Sequence, residues 1–363
     1  MGSGGAIYGL IGNRLFHRFR LPWTISAALL VTLLLLSACL SDSAESPVQP
    51  GPTPTAKAEP SPTAPTLSAD FATVDIPPPD PQRLAQLKEM LSLVPADYGW
   101  AVHLDLKALR DNPILATVIS LDSLGLESAL PSLVTSVLDG LSIATNRQTG
   151  AVITGFNGAF EVKELLRVAD GFGIQLGDDA PENYRDHQIW NINFLGNSAS
   201  MGSANANTGV ASAGSKPDVD TVALVKQSLD TFDRDTPSIL DTGAATRLLE
   251  NLPSGFASAV ISECRDLAVL AGTPGIPVCS SAAVSADLLD DQTAVFHFLA
   301  GFVSEELAAN AAELAHDALE AQLSSAGLRE VGVRQEGDLV RARVIADLPQ
   351  FEETFGLFTP RGR

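Results

Sequence analysis

Val284-Ser285-Ala286-Asp287-Leu288-Leu289-Asp290-Asp291-Gln292-Thr293-Ala294-Val295-Phe296-His297-Phe298-Leu299 decides the fold class of this chain. Two apolar runs flank a pair of aspartates, and Asp suits a turn because its side chain bonds nearby backbone groups. The stretch therefore reads as a hairpin turning near Asp290-Asp291. A second copy lies 143 residues earlier, from Leu141 to Phe156, matching Ser142 with Ser285 and Ala151-Val152 with Ala294-Val295. It turns near Arg147-Gln148.

Each hairpin leads into an amphipathic helix. Val162, Leu165, Leu166 and Ala169 keep helical spacing in the first copy, and Leu307, Ala311, Leu314, Ala315 and Ala318 in the second. Ser304 is the expected N-cap of the second helix, with Glu305 and Glu306 in its first turn and Gly327 as its stop. A further match at an offset of 158 pairs Leu91-Ser92-Leu93-Val94-Pro95, followed by Ala101-Val102, with Leu249-Glu250-Asn251-Leu252-Pro253, followed by Ala259-Val260. Each copy reads as a helix end, a proline break and a strand. Later strands alternate through Trp190, Ile192 and Phe194 and through Leu339 to Ile345. Gly196 to Ser215 reads as small-residue strands, with Val210 to Gly214 followed by a helix from Val219 to Leu229. The expectation is an α+β fold, mainly antiparallel, in two related halves spanning 82–236 and 237–348, with a C-terminal tail at 349–363. The pattern resembles uncharacterised exported bacterial domains in which such units repeat, a likeness that carries no functional residues.

Ahead of this domain, Arg14, His17, Arg18 and Arg20 precede an uncharged apolar run from Leu21 to Ala38. That is a basic region followed by the apolar core of an export signal. It ends in Leu36-Ser37-Ala38-Cys39, which resembles the lipobox of bacterial lipoproteins. The resemblance implies that residues 1–38 are removed and that Cys39 becomes the lipidated first residue, carrying acyl groups such as palmitate. The alternative is an uncleaved transmembrane anchor, since 18 apolar residues approach a bilayer span. Either way the basic flank keeps the N-terminus inside and the domain outside the cytoplasm, in the periplasm or at the cell surface. Two acyl chains suffice for stable anchoring. From 39 to 81 the chain is rich in Pro, Ser and Thr, with Pro50-Gly51-Pro52-Thr53-Pro54 and Pro77-Pro78-Pro79, and reads as a disordered tether.

Without Arg14, Arg18 and Arg20 the exported part keeps 20 basic against 43 acidic residues. So negative a chain repels phosphate backbones, which argues against nucleic acid as a partner. No Gly-x-Ser-x-Gly elbow or Walker A loop is present, and no His has another His or a Cys within four residues. No catalytic residue, cofactor or metal is expected. His103 and Asp105 share a strand face and could form a base with its orienter, but the alternation with Val102, Leu104 and Leu106 favours a polar solvent face. His297 reads as a packed core side chain between Phe296 and Phe298, and His316 as an exposed partner of Asp317 and Glu320. His187 begins a strand beside Asp186 and carries no functional reading. Asp178-Asp179 is a turn. Outside the cytoplasm Cys264 and Cys279 are expected to pair across a loop containing Gly272, Pro274, Gly275 and Pro277, two buried thiols being the alternative.

Two functions follow. The first is a non-catalytic lipid-anchored envelope protein bound to the membrane through Cys39 and contacting another envelope component. The second is a solute-binding lipoprotein of a transport system, although such proteins alternate strands and helices where hairpins dominate here. An enzyme ranks below both.

Overall fold

A computed structural model describes residues 76–113, 136–146, 149–170, 174–176, 181–194, 197–213, 219–262, 264, 278–322 and 328–347. Cys39 and its lipobox, the tether up to residue 75, the tail from 348, Arg147-Gln148, Asp178-Asp179 and Gly327 lie outside the described residues.

The first helix among the described residues, α1 (Pro81–Leu91), starts because Asp80 accepts hydrogen bonds from the backbone of Gln82 and Arg83 at 2.9 and 3.0 Å, with proline in the first turn. The last residues of the expected tether thus belong to the domain, and the Asp80 backbone also donates to Ser254 Oγ at 2.9 Å. Composition alone reads this proline run as tether, whereas Pro81 serves as a helix start. Leu87, Met90 and Leu91 face the core, each burial contributing roughly 1.5–3 kcal/mol. After α1 ends at Leu91, Pro95 is the N-cap of a short 3-10 turn, Ala96–Tyr98, and Gly99, in the left-handed region at φ +75°, turns the chain into β1.

From there the chain runs through β1 (Trp100–Asp105), α2 (Leu106–Asp111), β2 (Leu138–Thr145), β3 (Val152–Gly158), α3 (Val162–Asp170), β4 (Ile174–Leu176), β5 (Glu182–Tyr184), β6 (His187–Phe194), β7 (Asn197–Ser203), β8 (Thr208–Ala213) and α4 (Thr221–Phe232). Then follow α5 (Ala245–Glu250), β9 (Ala257–Ile261), β10 (Ser281–Leu288), β11 (Thr293–Gly301), α6 (Glu305–Gln322), β12 (Leu328–Glu336) and β13 (Leu339–Asp347). The strands form one 13-stranded sheet in the order β12-β13-β11-β10-β9-β1-β2-β3-β8-β7-β6-β4, with β5 also on β6. Every pairing between these strands is antiparallel. The fold is α+β.

Both expected hairpins form, with Leu141 opposite Phe156 and Val284 opposite Phe298. The small-residue stretch becomes the β7–β8 hairpin and leads on to α4. Glycine is required beneath the helices: a Cβ on Gly202 would lie 2.7 Å from Val225 Cγ1 on α4, so α4 rests almost on the sheet backbone. One core joins α1, α4 and α5 to a sheet face through Leu91, Val225, Leu248, Ala101, Val210, Val260 and Leu299. A second core lies beneath α6, on β11, β12 and β13.

On α6 the expected inward face holds in part: Leu307, Ala311 and Ala315 meet the core. Ala308, Ala311, Ala312 and Leu319 are buried, while Leu314 is exposed. His316 lies inward at 8% exposure, which corrects its reading as an exposed residue. With alanine at so many positions the apolar stripe is broad, and packing on β12 and β13 selects among its faces. Ser304 does cap this helix, accepting from the Leu307 backbone at 3.3 Å.

Candidate functional site

The sheet face under α1 carries a continuous row of polar side chains. Register places Ser142 of β2 opposite His103 of β1, His103 opposite Ser258 of β9, Ser258 opposite Ser285 of β10, Ser285 opposite His297 of β11, and His297 opposite Arg343 of β13. The next row on this face is apolar: Ala144, Ala101, Val260, Ala283 and Leu299 are all at most 1% exposed. Buried polar groups cost free energy unless they find partners, so such a row is the feature of this core that packing alone does not require.

The solvent-face reading of His103 and Asp105 is therefore overturned: both are buried, at 5% and 7% exposure. Alternation fails as a guide because helices cover the face that would otherwise be wet. The structure also separates the two roles proposed for this pair. His103 Nδ1 lies 2.9 Å from Ser142 Oγ, and Asp105 makes no hydrogen bond to the ring. Both Asp105 oxygens are engaged elsewhere. Oδ1 caps α2 by accepting from the Ala108 backbone at 2.7 Å, and Oδ2 accepts from Arg83 Nε of α1 at 2.9 Å.

Burial pulls the His103 pKa down to about 4 against the upward pull of Asp105, so the ring is neutral at ordinary pH. Burial likewise lowers His297 to about 4, helped by the charges of Arg343 and Arg341, and leaves its Nδ1 without a partner. Asp287, on the neighbouring β10, is pushed up by burial and by Asp105, against Arg83 and a hydrogen bond from the Leu288 backbone. Above His103, Asp105 and Ser258 is a pocket closed by Arg83, Leu87, Leu252 and Pro253, with about 20 Å³ of room. That volume holds roughly one water molecule.

Sequence reasoning singled out His103 and Asp105 but missed Arg83, Ser258 and Asp287, which come from other elements. The match between Ser142 and Ser285 was the one available signal for the row. His297 is packed as expected. His187 is a clamp: Nε2 lies 2.8 Å from Asp233 Oδ2 at the end of α4 and Nδ1 lies 3.0 Å from the Ser203 carbonyl, so β6, β7 and α4 meet on one ring. Cys264 and Cys279 are disulfide-bonded with Cα atoms 5.3 Å apart, joining the exit of β9 to the entrance of β10. Among the described residues no group of three or more His, Cys, Asp or Glu is arranged to hold a metal ion, and no helix is long and apolar enough to cross a membrane.

No protein-family model matches the chain, and no curated protein matches it. Among solved structures, crystal form III of TP0453 aligns with a TM-score of 0.44 at 7% identity, covering 73% of this chain and 96% of that one. Crystal form I of TP0453 aligns with a TM-score of 0.41, also at 7% identity, over 74% and 97%. A likeness of this size carries no argument about function.

Proposed function

We propose that this chain is a non-enzymatic, lipid-anchored envelope protein, held by acyl groups on Cys39 outside the cytoplasm and acting by contact with another envelope component. The single observation that carries the non-catalytic part is the pocket over His103. It has room for about one water molecule, and its carboxylate is already bound at both oxygens. A solute or substrate site built on His103 and Asp105 would need a hollow of some hundreds of Å³. Anchoring is supported by Leu36-Ser37-Ala38-Cys39 after its basic and apolar flanks, and reach from the membrane by the proline-rich stretch that follows.

The domain reads as two related halves, 82–236 and 237–348, meeting at β1 and β9. Support comes from the strand order, which runs outward as β1-β2-β3-β8-β7 on one side and β9-β10-β11-β13-β12 on the other. A helix follows β3 and another follows β11, α3 and α6 respectively. On this reading β4, β5 and β6 are additions to the first half.

Labelling growing cells with tagged palmitate tests the anchor. The native chain should incorporate label and Cys39→Ser should not, and a mature N-terminus other than Cys39 would overturn the reading. Photo-crosslinking in intact cells should then yield a discrete envelope partner, whereas a small solute co-purifying with the protein would favour the transport alternative.

A further inference from the structure

The sheet ends in two unequal edges. At one end β4 has three residues; at the other β12 has nine, and no described strand pairs with its outer flank. Long open edges invite another strand, and proteins commonly blunt them with proline, bulges or charge. β12 has no proline, and its one irregularity lies between Leu328 and Glu330, so Glu330 to Glu336 is regular.

Its hydrogen-bonding pattern restricts what can pair there. Glu336 stands opposite Leu339 across the two-residue turn Gly337-Asp338, which makes them a hydrogen-bonded pair. Glu336, Arg334, Gly332 and Glu330 then direct their backbone groups toward β13, while Gln335, Val333 and Val331 direct theirs outward. An antiparallel second copy must match outward residues with outward residues, so a symmetric register centres on a single residue. Centring on Val333 sets Glu330 against Glu336, like against like. Centring on Val331 sets Glu330 against Gly332. Centring on Gly332 sets Glu330 against Arg334 twice and Val331 against Val333 twice.

We propose that β12 is a self-association edge, at which two copies of this chain pair antiparallel about Gly332 with Glu330 of each opposite Arg334 of the other. Glu330 and Arg334 would occupy a non-hydrogen-bonded pair, where facing side chains come closest. Within one chain Glu330 already meets Arg343, and Arg334 donates to Glu336 at 2.6 Å. Across the edge these pairs join into an alternating series running from Arg343 and Glu330 of one copy to Arg334 and Glu336 of the next. Opposite charges in sequence along a cross-strand row favour this register over its neighbours and oppose the repulsion expected from a formal net charge of -20. The pairing needs no lipid and holds whether or not Cys39 is anchored.

Sedimentation equilibrium of the detergent-solubilised full chain tests it. The native chain should show a monomer–dimer equilibrium, Glu330→Arg should weaken it at least tenfold, and adding Arg334→Glu to that variant should restore it. Independently, Glu330→Cys/Arg334→Cys should oxidise to a covalent dimer while either single cysteine variant does not, because residue 330 of one copy faces residue 334 of the other and never its own counterpart. A monomer at all concentrations, dimerisation indifferent to Glu330→Arg, single variants that crosslink as well as the double one, or crosslinking to a different protein in place of a second copy would each overturn the proposal.

Discussion

His103 and His297 sit in the same row with pKa values drawn from 6.5 to about 4 by burial. A base whose folded pKa is lowered is protonated more readily when unfolded, so the unfolded state binds protons between the two values. Stability from these rings is complete above pH 6.5 and is lost as pH falls toward 4. At 1.36 kcal/mol per unit, the drop from pH 7 to pH 5 is roughly 2 kcal/mol for each ring. Urea denaturation at both pH values should show that loss, and His103→Gln or His297→Gln should each reduce it by about half of the combined effect of the two rings. A His103→Gln variant with the full native pH dependence would refute the assignment. The row was only partly legible in the sequence. Identity and two-residue spacing put His103 and Asp105 on one face, but not whether that face was wet. Arg83 approaches Asp105 from α1, a long-range pairing that no local pattern encodes.

Hairpins were the most legible elements, because turn residues and apolar alternation constrain them together, and β2–β3 and β10–β11 pair where those signals agree. The face of α6 was legible only in part, since its many alanines distinguish inside from outside weakly. The disulfide combined compartment with loop position, and it is testable on its own. Closing a loop of 15 residues is worth roughly 3 kcal/mol by loop-closure entropy, so Cys264→Ser/Cys279→Ser should lower unfolding free energy by about that much in urea. Alkylation of the unreduced, denatured native chain should label neither cysteine. Beneath α4, Gly202→Val would drive a side chain into Val225, and overpacking of this kind costs about 1–3 kcal/mol. Its thermal midpoint should fall while far-ultraviolet circular dichroism below the transition stays native, and an unchanged midpoint would mean α4 sits more loosely than described.

At the scale of the molecule, one sheet and one shared core cross the boundary between the two parts of the chain, for Leu91, Ile189, Val260 and Leu339 belong to the same cluster. Unfolding should therefore be a single transition. Tryptophan fluorescence, reporting Trp100 in β1 and Trp190 in β6, should change together with circular dichroism across a denaturant series. Two separated transitions would show that the parts fold independently. The α+β class and the positions of most strands could be read from the sequence, β4, β5 and β12 excepted, while the joining of β1 to β9 could not, because pairing partners this far apart leave no local mark. That joint sets an order in time. A chain made from its N-terminus completes β1 long before β9 exists, and the Gly99 carbonyl waits 163 residues for the hydrogen bond from Ser262 Oγ. Through that interval Trp100-Ala101-Val102-His103-Leu104-Asp105 is an unguarded border, open to any passing strand, so the newborn protein is most vulnerable to misassembly at what later becomes its best-protected seam.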